Sequence, residues 1–175
     1  MGIKDLIRIC NIEPSEDGKS LKIWEINKGK ENFEEIKAKK QEILNYFAEK
    51  AAKKEAIEKA RQEKIDAIEG LKEIRAAIEA EERYAYLFEK MTEDEYNDGV
   101  NPPTKPTVSL AELRAKYPQA AAYIKAENWS YAAHYKKSSC GLHAMNQIRE
   151  GEDYQKAIAE MEKEWSAYCE EHIWD

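Results

Sequence analysis

The sequence predicts a mainly α-helical protein. A long helical, coiled-coil-like arm precedes a small C-terminal helical bundle, with a short β element near the N-terminus. Three observations point there. Charged residues make up 36% of the 175 residues, whereas glycine and proline number only seven and five, a composition of long solvated helices. From Glu31 to Asp98 there is no proline, and Gly70 is the only glycine. Beyond residue 109, apolar residues recur at helical spacing between capping residues.

Residues 1–30 hold an N-terminal helix and a β element. Ile3, Leu6, Ile7 and Cys10 follow the i, i+3, i+4, i+7 pattern of a helix face. "EPSEDGKS" reads as a turn and "LKIWEI" as a short strand. A lone strand is unstable, so it must pair with residues near Ile7 to Ile12 or with another chain.

Residues 31–98 form the arm. Glu35 with Lys39, Glu49 with Lys53 and Glu55 with Lys59 are i, i+4 pairs in the favourable order. An apolar stripe runs through Phe33, Ile36, Ile43 and Phe47, then Ile57, Ile68, Leu71 and Ile78. The second group lags the first by roughly 100°, most of which a left-handed supercoil absorbs. Lys40, Lys54 and Arg61 dilute this seam. Tyr84, Leu87, Phe88 and Met91 fall on the face opposite Ile57 and Ile68, so a new helix or a second packing partner begins near Glu79. Unbroken, the segment would span roughly 100 Å. A protruding arm, a hairpin bent near Gly70 or a homodimer follows.

Residues 99–108 are a Pro-rich linker, and residues 109–175 make the bundle. Ser109 stands three residues before Glu112, the spacing of a capping box. Pro118 opens a helix expected to carry Ala121, Ile124, Tyr131 and Tyr135. The next, around Leu142, Met145 and Ile148, stops at Gly151. Asp153 can cap the last, whose stripe is Tyr154, Ile158, Met161, Trp165, Tyr168 and His172.

Charge bounds the partners. A net charge of −7 argues against an unaided duplex-DNA binder and favours a basic protein surface. From Glu79 to Asp98, eight acidic residues face two basic ones, and from Pro103 to Arg149 seven basic residues face two acidic. Glu93, Asp94, Glu95 and Asp98 are the acidic candidates for partner contact, with Trp165 and Tyr168 as aromatic anchors. Lys125, Trp129, Lys136 and Lys137 form a basic, aromatic strip of the kind that touches nucleic acid. Such a tryptophan is more often core and such lysines solubilising, so direct nucleic-acid contact is not the favoured reading.

Two C-x-x-H pairs, Cys140 with His143 and Cys169 with His172, raise the question of zinc. With Leu142, Met145 and Ile148 taken as the buried side, Cys140 and His143 point away from it. Cys169 and His172, both on the buried stripe of the last helix, therefore read as packing, and no metal or cofactor is expected. "GKS" at Gly18 to Ser20 lacks the glycine a phosphate loop needs five residues earlier, where Glu13 stands. No nucleophile–base arrangement follows from spacing, so no enzyme is expected. Three cysteines, an odd number, without a signal peptide fit a reduced cytoplasmic protein, and no apolar run reaches membrane-span length.

"KYPQAAAYIKAENWSYAAHYKKSS" with "EDYQKAIAEMEKEWSAYCEEHIWD" resembles small phage- and plasmid-encoded proteins of gut Firmicutes. The resemblance covers the C-terminal bundle and carries no catalytic motif. Mobile-element proteins of this size and charge resemble anti-CRISPR proteins. What this implies is a non-enzymatic inhibitor that binds an RNA-guided effector nuclease in a bacterial cytoplasm and blocks DNA binding or cleavage. The acidic segments would then suit the Lys/Arg-lined channels such nucleases use for DNA. The alternatives are a structural coiled-coil protein oligomerising through the arm and a nucleic-acid-binding accessory protein.

Overall fold

The structure is a computed structural model that describes residues 1–91 and 104–172. It is mainly helical with one two-stranded antiparallel sheet. The chain divides into two compact units, Met1–Arg61 and Gln62–Asp175, so the division falls inside the segment read from sequence as one arm. No helix among the described residues is long and apolar enough to cross a membrane.

In the first unit, α1 (Ile3–Cys10) buries Leu6 and Cys10 and ends at Asn11 in the left-handed region. The chain then enters β1 (Ile12–Pro14), which pairs with β2 (Leu21–Ile23) in the register Ile12↔Ile23, Glu13↔Lys22 and Pro14↔Leu21. The strand read from "LKIWEI" thus finds its partner within the chain. The turn between them is self-sufficient. Ser15 Oγ accepts from the Ser20 N–H at 2.9 Å, the Asp17 carboxylate accepts from the Lys19 N–H at 3.1 Å, and Gly18 takes a φ of +67°. The Ser15 hydroxyl and the Lys19 amide hold the Asp17 carboxyl below its ordinary range.

Three helices follow: α2 (Ile26–Glu31), α3 (Phe33–Ala38) and α4 (Lys40–Asp66). Leu6, Cys10, Ile12, Ile36 and Ile43 form the first core, with Leu21, Ile23 and Phe47 packed against it. Burying a side chain such as Ile43 contributes about 1.5–3 kcal/mol. Every residue from 48 to 60 is exposed.

In the second unit α4 ends at Asp66, and Gly70 at φ +76° starts α5 (Leu71–Lys90). Ile68, Leu71 and Ile74 enter the second core. Of the stripe from Phe33 to Ile78, Ile36, Ile43 and Phe47 thus serve the first core and Ile68, Leu71 and Ile78 the second, while Phe33 and Ile57 are exposed. Beyond the undescribed segment come α6 (Leu110–Lys116), α7 (Pro118–Ser130), α8 (Tyr135–Arg149) and α9 (Tyr154–His172).

The caps are those the spacing predicts. Ser109 accepts from the Glu112 N–H at 3.5 Å, and Asp153 from the Gln155 N–H at 2.8 Å. Gly151 closes α8 at φ +88°. Tyr123, Ile148 and Met161 are buried, with Ala120, Ala126 and Ala144 among them. These small residues let α7 and α8 approach closely. Arg75 forks onto the Glu127 carboxylate at 2.7 and 2.9 Å, and Lys64 pairs with Glu150.

Two sequence expectations need correction. Tyr135 does not ride on the Pro118 helix: that helix ends at Ser130 and Tyr135 opens the next. On α8, Leu142 is 46% exposed while Cys140 is 1% exposed. The buried side runs through Cys140, Gly141, Ala144, Met145 and Ile148, because around Gly141 the close approach to the α7 backbone leaves room only for small side chains such as Cys140 and Ala144.

Candidate functional site

The second unit brings a group of aromatic residues together where α7 gives way to α8, against the later turns of α9. Trp129 comes from the last turn of α7, His134 from the connection, Lys136 and Lys137 from the first turn of α8, and Trp165, Tyr168 and His172 from α9. Trp165, Tyr168 and His172 lie on one face of α9 because they follow at i, i+3 and i+7.

His134 organises the corner. Its Nδ1 accepts from the Lys136 N–H at 3.2 Å, capping α8. A neutral ring then carries its proton on Nε2. The same imidazole meets Trp165 edge-on at 5.0 Å and Tyr168 at 5.2 Å between ring centres. Trp165 stacks on Tyr168 at 5.7 Å, and Tyr168 on His172 at 4.1 Å. Trp129 meets Trp165 edge-on at 6.4 Å. The Lys137 ammonium sits 4.7 Å from the Trp129 ring centre and 5.7 Å from that of Trp165, a cation–π arrangement between two indoles. In the segment that joins α7 to α8, Tyr131 and Tyr135 are 79% and 86% exposed.

Lys136 pairs with the Glu164 carboxylate. That hydrogen bond holds the Glu164 carboxyl below the ordinary carboxylate range and Lys136 above the ordinary lysine range. Burial pushes the Cys140 thiol up, and the Glu164 charge adds to it. A protonated, buried thiol is a poor nucleophile.

The sequence placed these residues in two separate lists, and the fold merges them. Trp165 and Tyr168, read as partner anchors, lie in one cluster with Trp129 and Lys137 from the basic strip. The strip itself is largely neutralised, since Lys125 pairs with Glu162 and Lys136 with Glu164. Glu93, Asp94, Glu95 and Asp98 lie outside the described residues.

The C-x-x-H pairs are corrected in part. Cys140 does not face away from the core but is part of it, while His143 is exposed. Cys169 is half-buried, and His172 is exposed with Nδ1 2.9 Å from the Tyr168 carbonyl oxygen. Among the described residues, no three His, Cys, Asp or Glu side chains converge as metal ligands. Sequence reasoning missed His134 as a member of the corner, and Tyr131 and Tyr135 as exposed residues. A signal existed for His134, an acceptor side chain directly before a helical run. None existed for the tyrosines, which read as an apolar stripe.

Comparison of the chain with protein-family models, with curated protein sequences and with solved structures finds no match.

Proposed function

We propose that this chain is a non-enzymatic protein-binding inhibitor or adaptor of a mobile element, working in a bacterial cytoplasm. The aromatic corner of its bundle is the contact surface. The observation that carries this reading is the exposure of Tyr131 and Tyr135 in the same chain segment that supplies Trp129 and His134 to the stack with Trp165 and Tyr168. Protein interfaces draw most of their energy from Trp, Tyr and Arg anchors surrounded by packed neighbours. Tyrosine also contributes a large contact area at low conformational cost. The candidate partner is an RNA-guided effector nuclease. That choice is supported by the resemblance of the bundle and by the acidic run Glu93, Asp94, Glu95 and Asp98, which would suit a Lys/Arg-lined DNA channel.

The test is a cleavage assay with guide-loaded nucleases, reading target-DNA binding and cutting separately. Added protein is expected to block one of the two steps, and a Tyr131→Ala/Tyr135→Ala variant to lose that block. If neither step responds for any effector tried, the nuclease is the wrong partner. If the double variant inhibits as well as the parent, the corner is not the contact surface.

A second reading, homo-oligomerisation through the arm, is favoured by Ile57. It is a large apolar side chain 69% exposed in α4. Concentration-dependent sedimentation abolished by Ile57→Lys would support this reading.

A further inference from the structure

A groove of about 520 Å³ lies between α6, α7 and α9. Its apolar surface comes from Ile124 and Ile158, and the rings of Trp129 and Tyr154 line it. Its polar groups are cationic or neutral and each can donate a hydrogen bond: Arg114, Lys125, Asn128, Gln155 and the Tyr154 hydroxyl. Among the described residues no carboxylate lines this groove, in a chain with 35 acidic residues. Lys125 is already paired with Glu162. Among the described residues, Arg114 has no ion-pair partner.

We propose that this groove is a binding site for an aromatic monocarboxylate. The size falls within the range of small-molecule sites, about 300–1,000 Å³, and suits one or two fused rings. The Trp129 indole and the Tyr154 phenol both line it and offer a planar ring the offset or edge-on aromatic neighbours it prefers. The guanidinium of Arg114 is a planar fork that takes a carboxylate bidentately, and the amides of Asn128 and Gln155 donate to the remaining lone pairs. One cation is left uncompensated, which selects one carboxylate rather than two. The surrounding protein, at net charge −7, repels anions elsewhere, so a local reversal of sign concentrates them here. This site goes beyond the proposed function and shares only Trp129 with the aromatic corner.

The experiment titrates the full chain with 2-naphthoate and with its neutral isostere 2-naphthamide, following the side-chain amide resonances of Asn128 and Gln155 by NMR. Saturable shifts are expected with both, the acid binding about tenfold more tightly, as one charge-assisted pair at a partly open site provides. Arg114→Gln should bring the acid down to the level of the amide and leave the amide unchanged. On the unmodified chain, raising the salt concentration should weaken naphthoate and not naphthamide. The proposal is overturned by no saturable shift, by equal or tighter binding of the amide, or by a preference for the acid that survives either Arg114→Gln or high salt.

Discussion

A Cβ atom on Gly141 would lie 2.5 Å from the backbone nitrogen of Ser130 and 2.7 Å from the carbonyl oxygen of Ala126. The helices α7 and α8 therefore touch backbone to backbone at this point. Helix propensity alone favours Gly141→Ala by about 1 kcal/mol. Overpacking opposes it by about 1–3 kcal/mol, and the larger value applies because backbone atoms cannot swing aside. Packing wins, and the variant should lose on the order of 5 °C in Tm. A rise in Tm on thermal unfolding would show that the two helices do not meet here.

Gly70 and Gly151 share a positive φ, +76° and +88°, but differ in surroundings. A Cβ on Gly70 would come within 2.0 Å of the Tyr117 ring, whereas one on Gly151 meets nothing within 4 Å. Alanine in the left-handed region costs roughly 1–2 kcal/mol, so Gly151→Ala should cost about that. Gly70→Ala should cost clearly more, and adding Tyr117→Ala should recover part of the excess. Chemical denaturation of Gly151→Ala, Gly70→Ala, Tyr117→Ala and the Gly70→Ala/Tyr117→Ala double variant tests the cycle; equal losses for the two glycines would remove Tyr117 from the account.

Tyr131 and Tyr135 differ from Trp165 in what they do for the fold. The exposed pair packs little, so Tyr131→Ala/Tyr135→Ala should change stability by no more than about 0.5 kcal/mol per site. Trp165→Ala removes a ring that contacts Trp129, His134 and Tyr168 and should cost about 1–3 kcal/mol, less than a fully buried tryptophan. Urea melts decide. A large loss from the tyrosine pair would make these residues structural and weaken their reading as binding anchors.

Acid should loosen the second unit. Lys136 holds the Glu164 carboxyl, and Lys64 the Glu150 carboxyl, below the ordinary carboxylate range. A lowered folded-state pKa contributes stability that is full above the unfolded value and lost as pH falls through the folded one. Tm should hold near neutral pH and fall below about pH 4. The effect is modest, because both pairs are solvent-accessible and screened. Glu164→Gln should flatten the acid limb of the Tm profile, and an unchanged limb would leave this ion pair without a role in it.

Much of the helical plan was legible because its signals are short-ranged. The cap at Ser109, the Asp153 start of α9, the stop at Gly151 and the strand at Leu21–Ile23 each depend on residues within a few positions of one another. The break between α4 and α5 was only half legible. Gly70 marked a weak point, but its positive φ and its fit against Tyr117 depend on a residue far along the chain. The aromatic corner was less legible still, since Trp129, His134 and Tyr168 come from three separate segments.

The division is sharpest on α8. By itself the sequence determined a helix around Leu142, Met145 and Ile148, ended by Gly151, with Met145 and Ile148 on its inner side, and the structure set its start at Tyr135. Which neighbouring position joined them was decided by tertiary structure. Hydrophobicity favours Leu142 over Cys140, yet Leu142 faces solvent and Cys140 the core. The reason is steric. Where Gly141 brings α8 against the backbone of α7, only small side chains fit between them, and the larger leucine is turned outward.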